Sequence, residues 1–218
     1  MKRKEYLTYV SRLIEITIET QQEPYLCEVL MPFLRSCCYN IGVKPVAVFD
    51  DRGFKSKTNP EKTTSSIARL RKLLCSDDYK GKYSVPDYVF VDKNYCFDSD
   101  CKAVLLVETK VPKIEKKNST YTYKGVKVYL DNQRTKEQIR AEICELRNPI
   151  LFSDGITWKL LSLGKDKKSI EEIWTWELIK QDSNFAIEKI DDNNEAWIQL
   201  KESINLFLKS RKMKGNGK

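Results

Sequence analysis

The chain of 218 residues contains no histidine. A zinc site would have to be built from thiolates, and Cys96 and Cys101 in CFDSDC are the only loop-spaced pair. No second pair completes four ligands, so zinc is set aside. Long apolar runs are missing as well. Nothing is long enough to cross a bilayer, and Arg12 and Glu15 interrupt any signal-like core at the start, with no small-residue cleavage site after it. The expectation is an intracellular, cytoplasmic protein with no membrane partner. The cysteines agree: their number, seven, is odd, Cys37 and Cys38 are adjacent, and Cys27 and Cys144 sit in helix-like contexts where a reduced thiol packs as a small hydrophobe. There is no internal repeat.

What is present describes a globular chain. Hydrophobic residues make up 41% and aromatics 11%, enough for one domain with a real core. The net charge of +8 favours a polyanionic partner.

Periodicity places a helix over 4–20 and a second from Pro24 to about Gly42, kinked at Pro32. KPVAVFDD is a short strand. From Lys55 to Lys82 the chain turns polar and basic around a helix at SSIARLRKLL, which carries Arg69, Arg71 and Lys72. DYVFVD and AVLLVETK follow, the latter a continuous apolar run suited to a strand covered on both faces. Residues 113–127 form a flexible basic loop or a hairpin. A helix spans Thr135 to Leu146 on the stripe Ile139, Ile143, Leu146. PILFSDGITWKLLSL is a hairpin with a Ser-Asp-Gly turn, IWTWELI one more strand, and EAWIQLKESINLFLKSRK a closing helix. The last ten residues hold Lys209, Arg211, Lys212, Lys214 and Lys218 without an acid, and are expected to fray into a basic tail. The layout is α/β with a mixed central sheet flanked by helices, not a series of βαβ repeats.

Two strand ends carry the chemistry. If the strands are neighbours, Asp87 of Pro-Asp and Glu108 of Glu-Thr-Lys meet within a few ångströms. Two hard oxygen donors with no imidazole or thiolate nearby suit Mg²⁺ or Mn²⁺. Lys110, two residues on, shares a face with Glu108. Such a set performs phosphodiester hydrolysis: the metal activates a water, and the ammonium orients it or offsets developing charge. Taken alone, the pattern also fits an ordinary strand-end ion pair.

The run EPYLCEVLMPFL, VPDYVF, VLLVETKVP, EQIRAEI, ILFSDGITWKLL resembles the PD-(D/E)XK nuclease superfamily over about Glu23 to Leu163, in order as well as content. Within it the chain looks most like the amino-terminal nuclease domain of type I restriction motor subunits and related standalone proteins. The resemblance implies a restriction-endonuclease-like core and a single nuclease-like domain over 1–208. A basic insertion lies near 55–82, and 209–218 is a tail. It implies Asp87 and Glu108 as metal ligands, Lys110 as the catalytic lysine, and Gln138 beside the active site. A glutamate of an early helix completes the metal site; Glu23 is the choice, with Glu28 and Glu19 as rivals. Backbone phosphate contacts are assigned to the insertion (Arg69, Arg71, Lys72), to the 113–127 segment (Lys113, Lys116, Lys117) and to the tail. Ser153, Asp154 and Gly155 are read as a turn, and Trp158 as a packing residue.

The expected function is divalent-metal-dependent cleavage of DNA. One alternative is an RNA endonuclease of the viral cap-snatching type, disfavoured by the missing histidine. Another is a non-catalytic nucleic-acid-binding module on the same fold. No helicase motif follows, so the chain is a free domain or part of an assembly, with a homodimer as one form.

Overall fold

The computed structural model describes residues 2–19, 23–48, 86–94, 103–166, 169–186 and 195–215. The helix expected at SSIARLRKLL, with Arg69, Arg71 and Lys72, lies outside them, as do Cys96 and Cys101. In chain order the elements are α1 (Lys2–Glu19), α2 (Glu23–Cys37), β1 (Val43–Ala47), β2 (Tyr88–Asp92), β3 (Leu105–Thr109), β4 (Ile114–Lys117) and β5 (Thr120–Tyr123). They continue as α3 (Lys127–Leu130), α4 (Gln133–Leu146), β6 (Ile150–Ser153), β7 (Thr157–Leu163), β8 (Ile170–Glu177), β9 (Asn184–Phe185) and α5 (Glu195–Gly215).

Six strands form one mixed sheet in the order β1-β2-β3-β6-β7-β8. All its pairs are antiparallel except β3 with β6, which run parallel. The central position of β3 explains its composition, since all five of its residues are buried. Alternation along the strands sorts two apolar layers. Tyr88, Phe90, Leu105, Val107, Leu151, Trp158 and Leu160 pack with α1, α2 and α5. Val89, Val91, Leu106, Ile150, Phe152 and Leu161 pack with Ile139, Ile143 and Leu146 of α4. The first layer is rich in aromatics, with Phe33 lying 4.8 Å from Trp158 and 4.7 Å from Trp197. Trp158 is fully buried, as a packing residue should be.

Helix α2 continues through Pro32, which lies on its exposed side, where the carbonyl left without a donor can meet water. Residues 114–123 are a hairpin, and with β9 they make a second, three-stranded sheet. The basic run from Lys209 does not fray where the sequence suggests. Helix α5 carries it to Gly215, because Arg211 donates to Asn148 Oδ1 and Lys212 donates to Gly42 O and pairs with Asp92. Among the described residues no helix is long and apolar enough to cross a membrane.

Candidate active site

The register of β2 on β3 sets Tyr88 opposite Val107. One further step brings Asp87, just before β2, to the level of Glu108. By alternation both acids fall on the layer that faces α4, with Val89, Val91 and Leu106. Asp87 reaches across the strand end: its Oδ2 accepts from the Thr109 backbone N–H at 2.8 Å and from the Thr109 hydroxyl at 2.6 Å. The middle residue of Glu-Thr-Lys is therefore not a spacer. It anchors the first acid.

Glu108 is only 3% exposed. Its Oε1 accepts from Lys110 Nζ at 2.6 Å and from Gln138 Nε2, also at 2.6 Å. Its Oε2 is buried and has no hydrogen-bond partner among the described residues. Burial pushes the Glu108 carboxyl well above the usual range, and the neighbouring Asp87 and Glu142 carboxylates push it further, against the pull of Lys110. Lys110 lies just past the end of β3, and its own N–H continues the parallel ladder by donating to Ser153 O at 2.9 Å.

Gln138 arrives from α4, whose start is fixed by Asn132: that side chain accepts from the N–H groups of Arg134 and Thr135. Ile139 and Ile143 hold the helix on the sheet, which directs Gln138 at the end of β3. The same amide nitrogen donates to Glu142 Oε1 at 3.2 Å. Glu142 is 1% exposed, and sequence reasoning missed it. The signal was available: Glu142 is three residues after Ile139 and four before Leu146, on the buried stripe itself.

The structure thus brings together Asp87, Glu108, Lys110 and Gln138, and adds Thr109 and Glu142. It does not gather all the residues assigned to the site. Glu28 is exposed and lines a cavity with Arg12 and Trp197 on the α1, α2 and α5 side, away from α4. Glu19 is exposed at the end of α1. Glu23 is the first residue of α2, and its side chain is outside the described set. Lys113, Lys116 and Lys117 are exposed on and beside the hairpin that follows Lys110, and Lys116 lies over the Tyr121 ring. Ser153, Asp154 and Gly155 form the buried turn between β6 and β7. Gly155 has φ +85°, and a Cβ there would stand 2.9 Å from Leu13 Cδ1, so the turn requires glycine.

Among the described residues no three His, Cys, Asp or Glu side chains stand together as a ready-made metal cage. Mg²⁺ needs less, since it commonly takes one or two carboxylates and fills its shell with water and substrate phosphate. Asp87 and Glu108 supply two hard oxygen donors, and the buried, unpartnered Glu108 Oε2 is a fit for such an ion. No protein-family model, curated protein or solved structure matches the chain.

Proposed function

We propose that the chain is a divalent-metal-dependent nuclease that hydrolyses phosphodiester bonds, in DNA by preference, on a restriction-endonuclease-like core. One observation carries the reading. Lys110 and Gln138 both donate to a single oxygen of Glu108, while its other oxygen is buried without a donor among the described residues. Most buried polar groups have a hydrogen-bond partner, so a buried carboxylate oxygen with none among the described residues favours a role beyond packing. The mixed sheet with helices on both faces and the net charge of +8 support the same reading.

Asp87 and Glu108 would hold Mg²⁺ or Mn²⁺. When bound, the ion polarises a phosphoryl oxygen and lowers the pKa of a coordinated water. Thr109 holds Asp87 at the strand end. Lys110 supplies a positive charge beside the reacting phosphate and a donor for the attacking water. Gln138 keeps Glu108 turned, and its half-buried amide lies at the edge of the site.

The test compares the wild type with Lys110→Ala on labelled duplex DNA, single-stranded DNA and single-stranded RNA, each with Mn²⁺, Mg²⁺ or EDTA. Metal-dependent cleavage of DNA that disappears in the variant supports the proposal, and Mn²⁺ should serve at least as well as Mg²⁺. Cleavage confined to RNA would transfer the chemistry to the other substrate. Folded protein that binds nucleic acid equally with metal or EDTA, and cuts nothing, would refute it in favour of a binding module.

A further inference from the structure

Helix α4 contributes two polar groups to the site, one turn apart. Gln138 Nε2 donates to Glu108 at 2.6 Å and to Glu142 at 3.2 Å, so one amide nitrogen spans two buried carboxylates. Glu142 is 1% exposed and sits between Ile139, Ile143 and Leu146, where an apolar side chain would pack at lower cost. An acid held at such a position needs a compensating role. Its hydrogen bond offers one: an amide side chain can rotate or flip, and a second acceptor on the far side of its NH₂ group removes that freedom.

We propose that Glu142 is a positioning residue for the metal site, acting through Gln138: it locks the amide so that Glu108 presents Oε1 to Gln138 and Lys110 and keeps Oε2 open for the cation. The inference rests on the metal-dependent reading above. Its geometry is a short relay, Glu142 to Gln138 to Glu108, with each link hydrogen-bonded. The electrostatic influence of Glu142 on Glu108, which raises the Glu108 carboxyl, is consistent with this proximity.

The test measures Mn²⁺ binding by the electron paramagnetic resonance signal of the free ion, without substrate. The proteins are the wild type, Glu142→Gln, Glu142→Met, Gln138→Ala and the Glu142→Met/Gln138→Ala double variant. Glu142→Gln retains an acceptor and should bind within about threefold of wild type. Glu142→Met keeps the length without the acceptor and should weaken binding roughly tenfold to a hundredfold, the usual loss for groups that orient a ligand. Gln138→Ala should match it, and the double variant should be no worse than either single one, because both break the same relay. If Glu142→Met does not fold, Gln138→Ala, at a half-buried position, reads the relay from its other end. Wild-type affinity in Glu142→Met, or in Gln138→Ala, would overturn the inference alone. So would losses that simply add in the double variant. A wild-type protein that binds no Mn²⁺ would overturn the inference together with the reading beneath it.

Discussion

Glu108 and Asp154 stand at the ends of neighbouring parallel strands, both buried, and are held in opposite ways. Asp154 has donors on each oxygen: the N–H groups of Ile156 and Thr157 at 3.0 and 2.8 Å on Oδ1, and the Tyr123 hydroxyl at 2.7 Å on Oδ2. Glu108 takes two donors on Oε1, and its Oε2 has none among the described residues. Burial raises both carboxyls. The donors around Asp154 restrain the rise, leaving it at about 6, while the carboxylates beside Glu108 add to it. The turn acid has everything that a structural role requires. Among the described residues the strand-end acid retains an unmet demand, which the proposed cation would meet.

The contrast can be broken at either end. The largest effect belongs to the open site: Asp87→Ala, Glu108→Ala or Lys110→Ala should each reduce cleavage about a thousandfold or more. Circular dichroism should show the fold retained, with single-turnover assays on labelled DNA measuring the loss. At the closed site, Asp154→Ala should cost about 3 kcal/mol or more in denaturant unfolding, because it strands the Ile156 and Thr157 amides and the Tyr123 hydroxyl.

A pH series sharpens the comparison. The Asp154 carboxyl is raised from an ordinary 3.8 to about 6. Between those values the native state keeps a proton that the unfolded chain has released, so this group's contribution is complete at low pH and is lost as the pH rises through about 6. The stability of wild type relative to Asp154→Asn should therefore fall across that window, by a few kcal/mol. The smallest effect is at Glu108 itself. Burial and the neighbouring carboxylates raise its carboxyl, so Glu108→Gln in EDTA should raise the Tm.

Much of this arrangement was legible in the sequence because it is local. The apolar run before Glu108 announces a central strand, and alternation puts Glu108 and Lys110 on one face. Pairing Asp87 with Glu108 required only that their strands be neighbours, which the register provides. What escaped depends on partners distant in sequence. Glu142 lies on the apolar stripe of α4, but its contact with Gln138 beside Glu108 is set only when the helix is laid on the sheet. Thr109 has no visible role until Asp87 reaches it from 22 residues away. For residues 113–127 the polar composition leaves a flexible loop or a hairpin open; the hairpin forms at 114–123, and what the sequence does not show is that Tyr123 is tied to Asp154 and Thr157 and that β9 pairs with β5. The basic run after Lys209 stays helical through contacts with Asn148, Gly42 and Asp92, which no local pattern reveals. Glu23, Glu28 and Glu19 are the reverse case. The resemblance calls for a helix acid at the metal without specifying its turn, and Glu28 lies on the side of the sheet away from α4.

The measurement that tests the central claim most directly is Mn²⁺-dependent cleavage of labelled duplex DNA by wild type, Glu108→Gln and Asp154→Asn, all shown to be folded. Loss of cleavage in Glu108→Gln, with Asp154→Asn within severalfold of wild type, is the result predicted for one acid kept for chemistry and one for structure. Cleavage by Glu108→Gln at the wild-type rate would contradict it.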